Sequence, residues 1–269
     1  VARPIVFLSD YGLDDEFVGV CHGVIARIAP EARVVDLTHG VPSQNVLRGA
    51  LVLAQNSEFF PDQAVFLAVI DPGVGSARRG IAVQTGSGAM LVGPDNGLLS
   101  LAWEALGGAQ TAVHLTAEAY RLPRVSETFH GRDVFAPAAA HLSLGVAVED
   151  LGAPYPIEDL IRLEVPAPEV EPGRIVSKVL ALDRYGNIEL AARGQELDAA
   201  GLGETETLAG QAGETQFLAR RVRTFSDLRG GELGCLVDSL GWISVVLNGG
   251  NAAEALGVVP GDPVELAEG

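Results

Sequence analysis

The amino-acid sequence predicts an α/β protein in two parts: an N-terminal, largely parallel α/β sandwich followed by a small antiparallel β-barrel. Three observations carry that expectation. Strand-like and helix-like segments alternate through the first half, the pattern of βαβ units. A proline-rich, acidic stretch from Tyr155 to Arg174 then breaks the alternation and reads as a linker. Beyond it come short strand-like segments separated by glycine turns, as in small barrels or sandwiches. The division expected is an α/β domain over residues 1–160, a linker over 161–172 and a barrel domain over 173–269.

Each element has its own signal. "PIVFLSD" is an apolar run of strand length ending on Ser9 and Asp10. "DEFVGVCHGVIARIAP" spaces Phe17, Val18, Cys21, Val24, Ile25 and Ile28 along one helical face, and Pro30 stops it. Asp14 and Asp15 read as N-terminal capping acids of that helix. "RVVDLTHG" is a second strand, "SQNVLRGALVLAQNSEFF" a second helix, and "AVFLAVID" a third strand ending at Asp71. "GIAVQT" and "AMLVGPDNG" pair around a glycine turn, "GLLSLAWEALG" is helical, and "TAVHLT" is another strand. "RDVFAPAAAHLSLG" is a helix that tolerates Pro137 near its first turn. Asp10, Asp36 and Asp71 are thus expected at the ends of three successive strands, and parallel sheets keep their ligands beyond the strands' carboxyl ends. In the second half, "IVSKVLALDRYGNIEL", "TQFLARRVRTFSDL", "LGCLVDSLGWISVVLN" and "DPVELAE" supply the strands.

Composition narrows the function. Hydrophobic residues make up 48% and charged residues 20% of 269, the profile of a soluble globular protein. No apolar run approaches the ~18 residues that span a bilayer, and no signal-peptide pattern opens the chain. Cys21 and Cys235 lie far apart and read as buried free thiols. These features lead to the expectation of a cytoplasmic protein without membrane contact. A formal net charge of −17 argues against nucleic acid, whose phosphates need cationic partners.

Four clusters could carry chemistry. In "FLSDYGLDDEF", Asp10 is placed to accept hydrogen bonds from a ribose cis-diol, or to act as a turn acid ahead of the helix. In "DPGVGSARRG", Asp71 and Arg78 are joined by a glycine-rich turn able to fold back on itself. An ordinary surface ion pair, worth ~0–1 kcal/mol, has the same spacing. In "SETFHGRDVFAP", His130 sits in a glycine-containing turn before a helix, a setting suited to either a structural or a proton-handling imidazole. His22, His39, His114 and His141 have no comparable setting and read as structural. The fourth cluster is "LDRYGNIEL" with "DSLGWISVVLNGGNAAEALG". There Tyr185-Gly186-Asn187 forms a turn whose amide can also pair with an adenine edge. Ser239 and Asn248 are ambiguous by themselves. No metal-ligand spacing, nucleophile elbow or phosphate loop is present, so no metal is expected.

Taken together and in order, these motifs resemble the S-adenosylmethionine (SAM) hydroxide adenosyltransferases, or SAM hydrolases, relatives of the SAM-dependent fluorinase and chlorinase. The resemblance runs from "FLSDYGLDDEFVG" through "DLTHGV", "DPGVGSARRG", "GPDNGLLS", "TFHGRDVFAP" and "DRYGNIEL" to "DSLGWISVVLNGGNAAEALG". It implies a homotrimer holding SAM between one subunit's N-terminal domain and its neighbour's C-terminal domain. It implies Asp10 on the ribose hydroxyls, Asp183 and Ser239 at the methionine end, and Asn187 on the adenine with help from the backbone near Asn248. Tyr185 and Phe225 fall where aromatic rings pack on the nucleoside. The Asp, Arg and His that mark the hydroxide-using members fall on Asp71, Arg78 and His130. The halogenases lack this triad, and the fluorinase carries a long inserted loop that this chain does not have. One departure is Leu240, where the fluorinase has an arginine after the serine matched by Ser239; the methionine carboxylate then needs another donor.

The implied reaction needs no cofactor. The sulfonium already activates C5′, and methionine leaves as a neutral thioether, so the protein has only to supply an aligned, deprotonating water. Alignment contributes roughly 7–11 kcal/mol. His130, with a reference pKa of about 6.5, suits the role of base at neutral pH; Asp71 orients the water and Arg78 holds Asp71. The sequence leaves open whether Asp71 or His130 is the base. A SAM-dependent halogenase and a non-catalytic SAM or adenosine sensor are the alternative readings.

Overall fold

The first apolar run forms β1 (Ile5–Ser9), buried along its whole length, as a strand must be when helices cover both faces of its sheet. The structure is a computed structural model and describes residues 2–269. The chain divides into two compact units, Val1–Leu163 and Glu164–Gly269.

In the first unit, α1 (Phe17–Ile28), β2 (Val34–Thr38), α2 (Val46–Ser57) and β3 (Val65–Val69) follow β1 as the periodicity predicts. Then come β4 (Gly80–Thr85), β5 (Met90–Pro94), α3 (Ser100–Ala105), β6 (Ala109–His114), α4 (Ala136–Ser143) and the two-residue β7 (Ala153–Pro154). The sheet order is β2-β1-β3-β5-β4-β6-β7. Strands β2, β1, β3 and β5 pair in parallel, whereas β4, β6 and β7 add on antiparallel. Alternate residues of β1 feed separate cores: Ile5 and Phe7 pack with α1 and α4, and Val6 and Leu8 pack on the other side with residues of α2 and α3.

Three local expectations change. Asp36 lies in the middle of β2, paired opposite Phe7, instead of at its end, because the strand runs on through Thr38. The N-cap of α1 is Glu16, with no side-chain cap, so Asp14 and Asp15 do not cap it. The helix around Pro137 is preceded by a π-helical turn, Gly131–Phe135; Pro137 sits in the first turn of α4, where no backbone donor is lost.

In the second unit, part of the proline-rich stretch is itself a strand, β8 (Glu169–Glu171), paired on β9 (Arg174–Leu182). Then follow β10 (Ile188–Arg193), α5 (Gly194–Ala199), β11 (Thr207–Ala212), β12 (Thr215–Arg221), β13 (Leu233–Val237), β14 (Trp242–Leu247), α6 (Ala252–Leu256) and β15 (Pro263–Glu268). The order β10-β14-β13-β12-β11-β15-β9 closes through β9–β10 into a seven-stranded barrel. Its pairings are antiparallel except for β12 with β13. Sequence reading omits β11 because "TLAGQA" is small and weakly apolar; Gly210 stands opposite Phe217, whose ring fills the space a side chain at 210 would take. Cys21 and Cys235 are free and buried, as expected, and burial pushes both thiols up to about 12. Among the described residues no helix is long and apolar enough to cross a membrane.

Candidate active site

The segment after β3 folds back on itself. Val74 N donates to Asp71 O and Ser76 N to Gly73 O, two successive turns. The Ser76 hydroxyl closes them, donating to Gly73 O and accepting from Arg78 N. Gly75 has φ +78° and lies against the Glu127 carbonyl, where a Cβ would come within 2.6 Å, so only glycine fits. The outcome is that Arg78 returns to Asp71. Its Nε donates to Oδ1 at 2.8 Å and its Nη2 to Oδ2, the bidentate fork that fixes a carboxylate most firmly. Side-chain exposure is only 10% for Arg78 and 7% for Asp71. This is not the ordinary surface ion pair that the same spacing also allows, and removing one partner would strand a buried charge at ~3–5 kcal/mol.

His130 reaches the same place from the turn before α4. Arg78 Nη2 lies 2.8 Å from His130 Nδ1, and the guanidinium also stacks 5.2 Å over the Phe135 ring. Buried Asp133 anchors the turn: it accepts from Ser126 N at 2.8 Å and from Arg132 Nε at 2.6 Å. Gly131 is in contact with the Tyr11 ring and hydroxyl, leaving no room for a Cβ.

The Arg78 contact fixes the imidazole's tautomer. A guanidinium has donors only, so Nδ1 must accept and a neutral His130 carries its proton on Nε2. Burial first, then the Arg78 charge, hold His130 below the usual histidine value, against the opposing pull of Asp71 and Asp133. His130 is therefore neutral at pH 7 and offers an Nε2–H donor. Of the triad, the Asp71 carboxylate is the group with acceptor capacity to spare.

Asp10, Asp71 and His130 line one cavity of about 350 Å³, with Arg78 behind them. Asp10 Oδ2 accepts from Gln44 N at 2.8 Å. Gln44 is the one described residue other than glycine with a positive φ, 63°, a conformation of the kind that collects at ligand sites. Sequence reading missed Gln44, Tyr11 and Phe129, which also line the cavity. Phe17, read as a core position, is 37% exposed and lines it too. Tyr11, Phe17 and Phe129 form an aromatic cluster with centroids 5.2–5.8 Å apart. Burial pushes the Tyr11 phenol far up, with the nearby Asp10 and Asp71 charges adding to it, so it stays neutral.

The second unit has a cavity of about 530 Å³ lined by Asp183, Tyr185, Asn187, Phe225 and the Leu247–Gly250 turn. Tyr185 and Phe225 are 66% and 49% exposed. Asp183 is turned toward its own loop, accepting from Tyr185 N, Asn187 N and Asn187 Nδ2. Asn248 donates from its amide to Leu228 O, and its backbone pairs with Glu232 and Gly231. Ser239 does not join this cavity. It is exposed in the β13–β14 turn, which Asp238 holds by accepting from Leu240 N and Trp242 N.

Comparison with known proteins places the whole chain. Profiles of the SAM hydroxide adenosyltransferase N-terminal and C-terminal domains match residues 5–152 and 177–265. A Salinispora tropica protein named (R)-S-adenosyl-L-methionine hydrolase is 49% identical, covering 98% of both chains. A fluorinase from Actinopolyspora mzabensis is 28% identical over 94% of this chain and 93% of its own. The crystal structure of an uncharacterized conserved protein from Thermotoga maritima superposes with a TM-score of 0.91 at 34% identity, over 98% of this chain and 99% of that one. Both halves of the sequence are accounted for, and the chain belongs to the SAM hydroxide adenosyltransferase family.

Proposed function

We propose that this protein hydrolyses S-adenosyl-L-methionine to adenosine and L-methionine, by attack of a solvent oxygen on the ribose C5′. The observation that carries the reading is the Asp71–Arg78–His130 interlock at a cavity. The 49% identity to a protein named (R)-S-adenosyl-L-methionine hydrolase supports it, as does the greater distance of the fluorinase. In this mechanism His130 Nε2–H donates to the water, and an Asp71 lone pair accepts its proton as the C–O bond forms and the C–S bond breaks. Arg78 holds both groups in register, and no cofactor or metal enters the reaction.

Asp10, steadied by Gln44 N, takes the ribose hydroxyls. Tyr185 and Phe225 pack on the nucleoside and Asn187 reads the adenine, with Asp183 holding Asn187 in place. The methionine end falls to Asp183 and to the turn of Ser239, which lies outside the lining of the second cavity; Arg193, held against that turn, is the cation offered to the carboxylate in place of an arginine at 240. Arg193 stacks 3.9 Å over Trp242 and donates to Leu240 O at 3.1 Å. The enzyme works as a cytoplasmic homotrimer, each site completed by a neighbouring copy; light scattering after size exclusion measures that assembly. The deciding experiment is product analysis with SAM in ¹⁸O-labelled water. Label in the adenosine 5′-oxygen is the expected result. A 5′-halogenated product in chloride or fluoride, or SAM left intact, would overturn the reading.

A further inference from the structure

Outside the site just described, three side chains meet that sequence spacing alone does not connect: His22 on α1, Asp36 on β2 and His39 just beyond it. Their donor atoms lie within 4.8 Å of one another. His22 Nε2 is 2.8 Å and His39 Nε2 is 3.1 Å from the same oxygen, Asp36 Oδ1. His22 and Asp36 are 36% and 42% exposed, whereas His39 is 2% exposed.

His39 is the informative member. Its ring is held edge-on to Phe7 at 4.6 Å, and its Nδ1 meets the buried Ser9 hydroxyl at 2.7 Å. Its Nε2 is buried, and the polar atom it meets is Asp36 Oδ1 at 3.1 Å, off the alignment of a full hydrogen bond. A buried nitrogen left this way costs free energy unless something satisfies it. The Ser9 hydroxyl can accept from Nδ1–H as well as donate to Nδ1, so when an ion arrives the ring can carry its proton on Nδ1 and turn an Nε2 lone pair to the metal beside Asp36. An imidazole oriented through its other nitrogen in this way is the usual support for a metal-binding histidine.

We propose that His22, Asp36 and His39 form a binding site for a divalent transition-metal ion of the zinc class. Two imidazoles and one carboxylate suit such ions better than Mg²⁺ or Ca²⁺, which select oxygen donors. Metal–ligand bonds of about 2.0–2.1 Å place tetrahedral donors roughly 3.3 Å apart. The two recorded separations fall a few tenths of an ångström short, a distance the half-exposed His22 and Asp36 side chains can open. Binding requires His22 to carry its proton on Nδ1, and it replaces the imidazole–carboxylate contact by metal bonds. Solvent completes the coordination from the exposed side. Nothing in the hydrolytic mechanism uses this ion. Its effect is to tie α1 to β2 and the segment after β1, where Gly12 N already donates to His39 O at 2.8 Å. Asp10 lies on that segment, so the ion braces one edge of the reaction cavity.

The test uses the full-length protein freed of metal with a chelator, then titrated with Zn²⁺ by calorimetry and with Co²⁺ by visible absorption. The expected results are saturable binding of one ion per chain and the strong visible bands of four-coordinate Co²⁺. A melting temperature raised by about 5 °C at a hundredfold excess over Kd is also expected. His22→Gln and Asp36→Asn, both at half-exposed positions, should each weaken Zn²⁺ binding at least tenfold while circular dichroism stays unchanged. No saturable binding by the parent protein, or unchanged affinity in both variants, would overturn the proposal. The second result would assign the ion to other histidines.

Discussion

The two cavities are built on opposite plans. The one in the first unit is made of charges locked to one another: Asp71 and Arg78 are nearly buried, and both oxygens of the carboxylate are bound by one guanidinium. The one in the second unit is made of open aromatic faces, Tyr185 and Phe225, and its carboxylate is committed to its own loop. The difference teaches where each kind of work is done. A polar group that must act on a bond has to be fixed before the ligand arrives, because reorganisation during reaction is what catalysis avoids. A surface that only holds a flat ring gains by leaving its faces uncovered until the ring covers them.

The contrast can be broken most directly at Arg78. Arg78→Ala should lower kcat by ~10²–10³-fold while adenosine affinity, measured by calorimetry, stays within a few-fold of the parent. Equal losses in both would merge the two cavities into one function. Next in size, His130→Ala should lose ~10²-fold in kcat, whereas His130→Gln, whose amide still donates, should lose only ~10-fold. If both variants fall equally in steady-state assays, His130 is the base and the donor assignment is wrong. On the other side, Tyr185→Ala removes one stacking face worth ~1–3 kcal/mol, so KM should rise ~5–150-fold with kcat unchanged. The smallest effect is in the pH profile. His130 must be neutral to accept from Arg78, and its pKa lies below the ordinary value of about 6.5. Log kcat/KM should therefore be flat from pH 7 down to about 6.5 and decline only below that; His130→Gln should abolish the acid limb.

Much of this was legible in the sequence, and the parts that were not share a cause. Strands whose residues all face a core, such as β1 and β3, announce themselves as apolar runs. Asp71, Arg78 and His130 each stand out in a glycine-bearing turn beside a strong element, the family resemblance groups them, and the structure brings them together. Gln44 was missed because a positive φ leaves no mark when the residue is not glycine. Phe17 was misplaced because a pocket-facing aromatic at the start of a helix has the same periodicity as a core one. Asp36 was put at a strand end because strand limits are set by pairing, here with β1, and not by composition. His22 and His39 looked ordinary because 17 residues and a helix-to-strand crossover separate them in the chain.

The fold-back between β3 and β4 has a further consequence. Two of the three interlocked groups, Asp71 and Arg78, come from a single eight-residue turn, so one insertion there would undo the interlock and spare every strand of the scaffold. A change of loop at that junction would alter what the cavity presents without altering how the chain folds.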